Sequence, residues 1–252
     1  QLKADSNIQT YTAPDGFDIL VFNKKEGILT DVKMRQAIAA ALDMDAILKA
    51  SYSNEAFYKL NPSPMLEEQA DWYTDAGGEN YNQKDPEKAK QLLAEAGYNG
   101  EPITFVTSRE YLNQYNASVV IKEQLEQVGM TIDLQVFDWA TVKEVRTDPS
   151  AYNAFITGFS INTDPTQFIF WDSKNEWDGW TNNPKIDELL DEIRAASSQE
   201  EAKTIYEDLQ EEHWNSVPAI KFGDKNTLVA MSNDVEGFQN INGMILWNVT
   251  KN

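Results

Sequence analysis

Few side chains in this chain of 252 residues are equipped for covalent or metal chemistry. The one histidine, His213, has to serve any nucleophile–base pair. It lies beside Glu211, Glu212 and Trp214 near the end of an acidic helical stretch, where a cation suits a helix C-terminus. That context predicts a surface structural residue rather than a catalytic one. Without cysteine there is no disulfide framework, thiolate zinc site, cysteine nucleophile or iron–sulfur cluster. No G-x-S-x-G elbow, Walker A loop or G-x-G-x-x-G turn occurs, and Gly77-Gly78 is too short to cradle a phosphate. The run Asp172-x-Lys174-x-Glu176-x-Asp178 places a lysine where a calcium loop needs an oxygen ligand. Among 41 acidic residues some carboxylate pair is inevitable, so a pair suited to glycoside hydrolysis carries no information by itself. The formal net charge of −20 repels nucleic acid and anionic membrane surfaces.

The aromatic residues are more informative. Phe168, Phe170, Trp171, Trp177 and Trp180 crowd into one polar stretch that also holds Asn162, Thr163, Asp164, Thr166 and Gln167. Amphipathic rings with a few polar groups, in a loop after a strand, are what a small-molecule cleft uses. This favours a binding module over an enzyme.

The elements that must position these groups alternate between strand and helix. Asp18–Asn23 reads as a buried strand, followed by a helix capped at Thr30-Asp31 and a second short helix from Asp43 or Asp45. Residues 51–84 read as an irregular excursion. Asp85-Pro86 opens a helix that Gly97 stops. Residues 103–137 read as strand–helix–strand, with Ala117, Val120, Ile121, Leu125 and Val128 on one helix face and Gly129 as its end. Ala154–Phe159 is a strand and residues 160–182 a loop. Asn183-Pro184 and the Ser198-x-x-Glu201 box open two helices. Residues 183–216 hold ten acidic and three basic side chains, which places much of the charge on solvated helix faces. Residues 218–222 and 227–231 read as two strands, and 232–252 as a mixed loop. The pattern is that of an α/β protein.

Several stretches carry a resemblance. Phe22-Asn23 followed by Asp31-x-x-x-Arg35-x-Ala37-Ile38-x-x-Ala41-Leu42-Asp43 is the first. The helix Asp85–Tyr98 is the second, and Gln124–Met130 before a strand is the third. Gly158-Phe159 with Asp164-Pro165-Thr166 is the fourth, and Asn183–Leu190 with the Val217-Pro218 strand entry is the fifth. Together they resemble the family 5 extracellular solute-binding proteins, the peptide/nickel-type receptors of ABC importers.

The resemblance implies the C-terminal lobe of a two-lobed, type II periplasmic-binding-protein-like fold, with a mixed sheet flanked by helices. Residues 1–16 become a connection from a missing N-terminal lobe, 17–225 the ligand-binding lobe, and 226–252 a tail returning to the other lobe. It implies capture of an oligopeptide or related solute for an ABC permease, by a monomer at the outer face of the cytoplasmic membrane or in the periplasm, lipid-anchored in the full-length protein. No catalytic residue, metal or cofactor is implied. Asp31, Arg35 and Asp43 are expected to serve helix starts and packing. The cleft candidates are Asn23, Trp139, Phe159, Ser160, Asn162, Asp164, Phe168 and Trp171. Where peptide-binding members carry an acid for the ligand's amino terminus, this sequence has Asn162. Where an arginine holds the peptide carboxylate, it has Ile156, with Arg146 a substitute nearby. The alternatives are a carbohydrate-active domain using aromatic rings and a carboxylate pair, and a pure interaction domain.

Overall fold

The computed structural model describes residues 5–240 and 244–251. Side-chain caps start its helices where the sequence places them. Asp31 accepts from the Lys33 amide at the head of α1 (Val32–Ala41), and Asp43 from that of Ala46 in α2 (Met44–Tyr52). Asp85 caps α3 (Pro86–Glu95) and Asn183 caps α6 (Pro184–Ala195), each with proline in the first turn. Ser198 caps α7 (Gln199–Ser216). Glu201 reaches Ser197 instead of closing the reciprocal box on Ser198. Two further helices, α4 (Leu112–Gln127) and α5 (Trp139–Val145), follow strands directly. The sequence reading left α5 unassigned: it is short, and Asp138 is its only strong signal.

The strands are β1 (Ile8–Phe22), β2 (Tyr58–Lys59), β3 (Pro102–Ser108), β4 (Thr131–Phe137), β5 (Ala154–Phe159) and β6 (Ala219–Ser232). They form one mixed sheet in the order β2-β6-β1-β5-β3-β4. β3 runs parallel to β4 and β5, while β1 is antiparallel to β5 and β6. The two strands read at 218–222 and 227–231 are one strand. Gly223–Asn226 looks like a turn but stays extended because β1 pairs with it throughout, with register shifts at Pro14/Gly16 and Asp18/Ile19. The first half of β1 and the second half of β6 therefore leave the lobe as a two-stranded ribbon. Beyond it, Val235–Glu236 pairs with Thr250–Lys251, and Gln239–Asn240 with Met244–Ile245.

Both sheet faces are covered, as parallel strands require. Leu20, Phe22, Phe105, Ile156, Ile220 and Phe222 pack against α1–α4. Phe17, Ile19, Val21, Val106 and Phe155 pack against α5–α7 and the aromatic loop. Each such side chain contributes about 1.5–3 kcal/mol on burial.

A buried polar network holds the 58–84 excursion against the sheet. Lys221 and Asp224, 3% and 4% exposed, form an ion pair, and Lys221 also donates to the Ser63 carbonyl. Asn61 donates to Asp224 at 2.9 Å and to the Met65 carbonyl at 2.9 Å. Ser63 meets the Tyr206 hydroxyl, which donates to Gln210, and Gln210 donates to the Thr74 and Ala76 carbonyls. Burial pulls the Lys221 ammonium below its usual range, and Asp224 opposes that. Removing one member of such a pair strands the other charge. Asp224→Ala is expected to cost about 3–5 kcal/mol in urea unfolding. Lys221→Met with Asp224→Leu is expected to recover most of that loss.

Candidate functional site

The carboxyl ends of β3, β4 and β5 meet at one edge of the sheet, where ligands of open α/β folds bind. β1 crosses this edge in the opposite sense, pairing Phe17 with Phe159 and Asp18 with Gly158. Phe159, half-buried, stacks on Phe17 with ring centroids 5.9 Å apart. It also meets Phe168, Phe170 and Trp177 edge to face. Ser160 is exposed at the end of the strand. Trp139 opens α5 and meets Tyr111 edge to face at 5.0 Å. Tyr111 and Leu112, at the head of α4, are 43% and 65% exposed and extend this rim. The sequence reading passed over both.

The other candidates are engaged within the lobe. Asn162 is half-buried and its carbonyl accepts from Gln69. Asp164 caps a short 3-10 turn through the Thr166 amide and hydroxyl. Phe168 and Trp171 are fully buried, part of the core under α6 and α7. Asn23 is fully buried too. Its amide donates to the Pro149 and Tyr152 carbonyls, and its oxygen accepts from the Lys25 and Glu26 amides. These three hold the lobe together and offer no surface to a solute, which corrects their reading as cleft residues. Trp139, Phe159 and Ser160 stay at the edge.

Arg146 is likewise committed. It pairs with Asp178 at 2.6 Å, and its guanidinium lies over the rings of Trp139, Phe155 and Trp177. Burial raises the Asp178 carboxyl against the pull of Arg146. Ile156 is buried on the opposite face of the sheet. Asp31 and Asp43 cap helices, as expected, and Arg35 donates to the carbonyls of Leu29, Thr30, Ser216 and Val217.

A carboxylate that the sequence reading absorbed into an apolar run also stands at this edge. Asp18 is 4% exposed and accepts from the Tyr52 hydroxyl at 2.5 Å, Asn113 at 2.6 Å and Gln114 at 3.0 Å. Burial, with Asp18 alongside, pushes the Tyr52 hydroxyl far up, so it stays a donor. The available signal was an acid between Phe17 and Ile19 in a run, Phe17–Phe22, otherwise apolar on both faces.

His213 corrects its own reading. It is 4% exposed, and its Nδ1 accepts from Trp171 Nε1 at 2.9 Å between the rings of Phe170 and Trp214. Burial, aided by nearby Lys24, lowers it to about 3, so it is a neutral core residue and not a surface cation. Asp172 is bound to the Lys174 amide and to Arg194. Among the described residues no group of three His, Cys, Asp or Glu side chains is placed to hold a metal ion, and no helix is long and apolar enough to cross a membrane.

A sequence model of the bacterial extracellular solute-binding proteins, family 5 Middle, matches residues 1–180. A probable peptide ABC transporter periplasmic-binding protein of Sinorhizobium fredii is 28% identical over 248 residues, covering 92% of this chain and 45% of its own length. The oligopeptide-binding protein AppA of Bacillus subtilis is 27% identical, covering 91% and 45%. The AppA structure with a bound nonapeptide superposes with a TM-score of 0.82 at 23% identity, over 99% of this chain and 53% of that one. The chain thus spans about half the length of the curated relatives it matches, and its fold is that of a type II periplasmic binding protein. These matches do not favour the carbohydrate-active alternative.

Because His213 binds its proton less tightly when folded, the unfolded chain takes up the extra proton as pH falls. Its contribution is complete above about pH 6.5 and is lost towards pH 3, by about 1.4 kcal/mol per unit. NMR should find no imidazole titration in the folded protein between pH 5 and 8, and His213→Gln should flatten that part of the stability profile.

Proposed function

The chain belongs to the bacterial extracellular solute-binding proteins of family 5, and on that premise we propose that it forms the C-terminal ligand-binding lobe of a receptor delivering an oligopeptide or related solute to an ABC permease. The observation that carries this reading is the sheet edge itself. Backbone at Gly158–Ser160 ends in the open, beside an aromatic rim of Phe159, Trp139 and Tyr111. Such an edge suits an extended chain with apolar side chains. The relatives include peptide- and oligopeptide-binding proteins, which points the same way.

The role is capture, not chemistry. The second lobe supplies the opposite wall, and closure over the solute produces the form the permease reads. Residues 1–16 and 226–252 connect the lobes, with the ribbon of β1 and β6 as part of that connection. The receptor acts as a monomer outside the cytoplasmic membrane, held there by a lipid anchor.

One wall alone leaves the solute half in water. Calorimetry with a tripeptide-to-nonapeptide panel should give micromolar or tighter binding by the two-lobed receptor. The 252-residue chain should bind at least about 100-fold more weakly, having lost roughly half the contacts. Equal affinity of the two would overturn the two-wall reading. Trp139→Ala in the receptor should weaken binding about 10-fold, as loss of an aromatic anchor does.

A further inference from the structure

The structure assigns to Asp18 the recognition of a cationic nitrogen on the captured solute, an ammonium or guanidinium, a role that rests on the capture function proposed above. Asp18 lies at the carboxyl edge of the sheet with a glycine opposite it on each neighbouring strand, Gly158 on β5 and Gly223 on β6. Gly223 is buried under Lys59 and Leu48. Gly158 is exposed, and a methyl group there would stand 2.9 Å from Asp18 Oδ1. The missing side chain therefore leaves a notch at the edge with the carboxylate at its foot.

The charge at that foot is uncompensated. Tyr52, Asn113 and Gln114, its three donors, are all neutral. Among the described residues no ion pair involves Asp18. The basic residues on adjacent β6 are spoken for: Lys221 by Asp224, and Lys225 by Asp15 at 3.6 Å. A buried carboxylate without a counter-ion is costly, and an incoming cation gains correspondingly.

A second acceptor stands beside it. Gln114 is 5% exposed and spends its Nε2 on Asp18 Oδ1, while its Oε1 has no hydrogen-bond partner. The same amide thus presents an idle carbonyl oxygen next to the carboxylate, and its Nε2 would lie 3.5 Å from a Cβ on Gly158. An idle neutral acceptor beside a charged one is a site for a donor with several N–H groups and a positive charge. Among the polar candidates in the loop after β5, position 162 is a neutral asparagine and Asp164 is taken up by its turn.

The test is calorimetry on the two-lobed receptor with three probes. Trialanine carries an amino-terminal ammonium, N-acetyl-alanyl-lysyl-alanine only a side-chain ammonium, and N-acetyl-trialanine none. Wild type should bind at least one ammonium probe about 10- to 100-fold more tightly than N-acetyl-trialanine, the worth of a charge-assisted contact. Which ammonium probe wins identifies the source of the nitrogen. Asp18→Asn should bring that ratio close to one. Gly158→Ala, which keeps the charge but fills the notch, should also lower the ratio, with circular dichroism confirming the fold of both variants. A wild-type ratio near one, or a ratio that survives both substitutions, overturns the assignment to Asp18 and leaves capture standing. Failure of wild type to bind any probe, or any member of the peptide panel, removes the capture reading and this one with it.

Discussion

The antiparallel pairing of β1 with β6 is the interaction on which the rest of the lobe hangs. It joins residues 8–22 to residues 219–232, the two ends of the described lobe, and makes β1 a central strand with β5 on its other side. From that placement the two cores follow. Alternate residues of β1 face the α1–α4 layer and the α5–α7 layer, and each layer closes over its own set. The candidate site follows as well. Because β1 runs against β5, it carries Phe17 and Asp18 to the edge where β3, β4 and β5 end. A one-residue slip in this register would exchange Asp18 with the apolar residues beside it.

The polar residues buried along these strands belong to the same constraint. Lys221 and Asp224 lie on β6 where the irregular excursion crosses the sheet, and with Asn61 and Ser63 they satisfy backbone that has no strand or helix partner. Asn23 does the same at the other end of β1 for the loop leading into β5. Each of these side chains closes a long-range contact with hydrogen bonds, where an apolar residue would leave carbonyls unpaired. The acidic surplus is distributed differently: α6 and α7 present their acids to solvent and bury Ile186, Leu189, Leu190, Tyr206 and Leu209 beneath.

Local chemistry was legible in the sequence, and long-range pairing much less so. The caps at Asp31, Asp43, Asp85, Asn183 and Ser198 could be read because each contact spans two or three residues. The strand–helix–strand unit at 103–137 followed from period alone. The continuity of β6 through Gly223–Asn226 was hidden because it depends on a partner from the far end of the chain. The same limit divided the aromatic loop. Spacing could not tell Phe168 and Trp171, which turn inward onto α6 and α7, from Phe159, which stays at the edge. His213 was misplaced for a related reason: its indole partner on Trp171 is distant in sequence, so only the acidic neighbours were in view. Asp18 was overlooked because one acid does not disturb an apolar run, though its burial is what sets it apart.

The β1–β6 pairing also bears on when the lobe can fold. A central strand formed by residues 8–22 waits for a neighbour formed by residues 219–232. Until residues 219–232 are available, β1 has an unsatisfied edge and both cores lack Ile220, Phe222 and Ala219. Closing so long a loop is slow. The sheet is therefore completed only when these two distant segments meet, and the two cores close together.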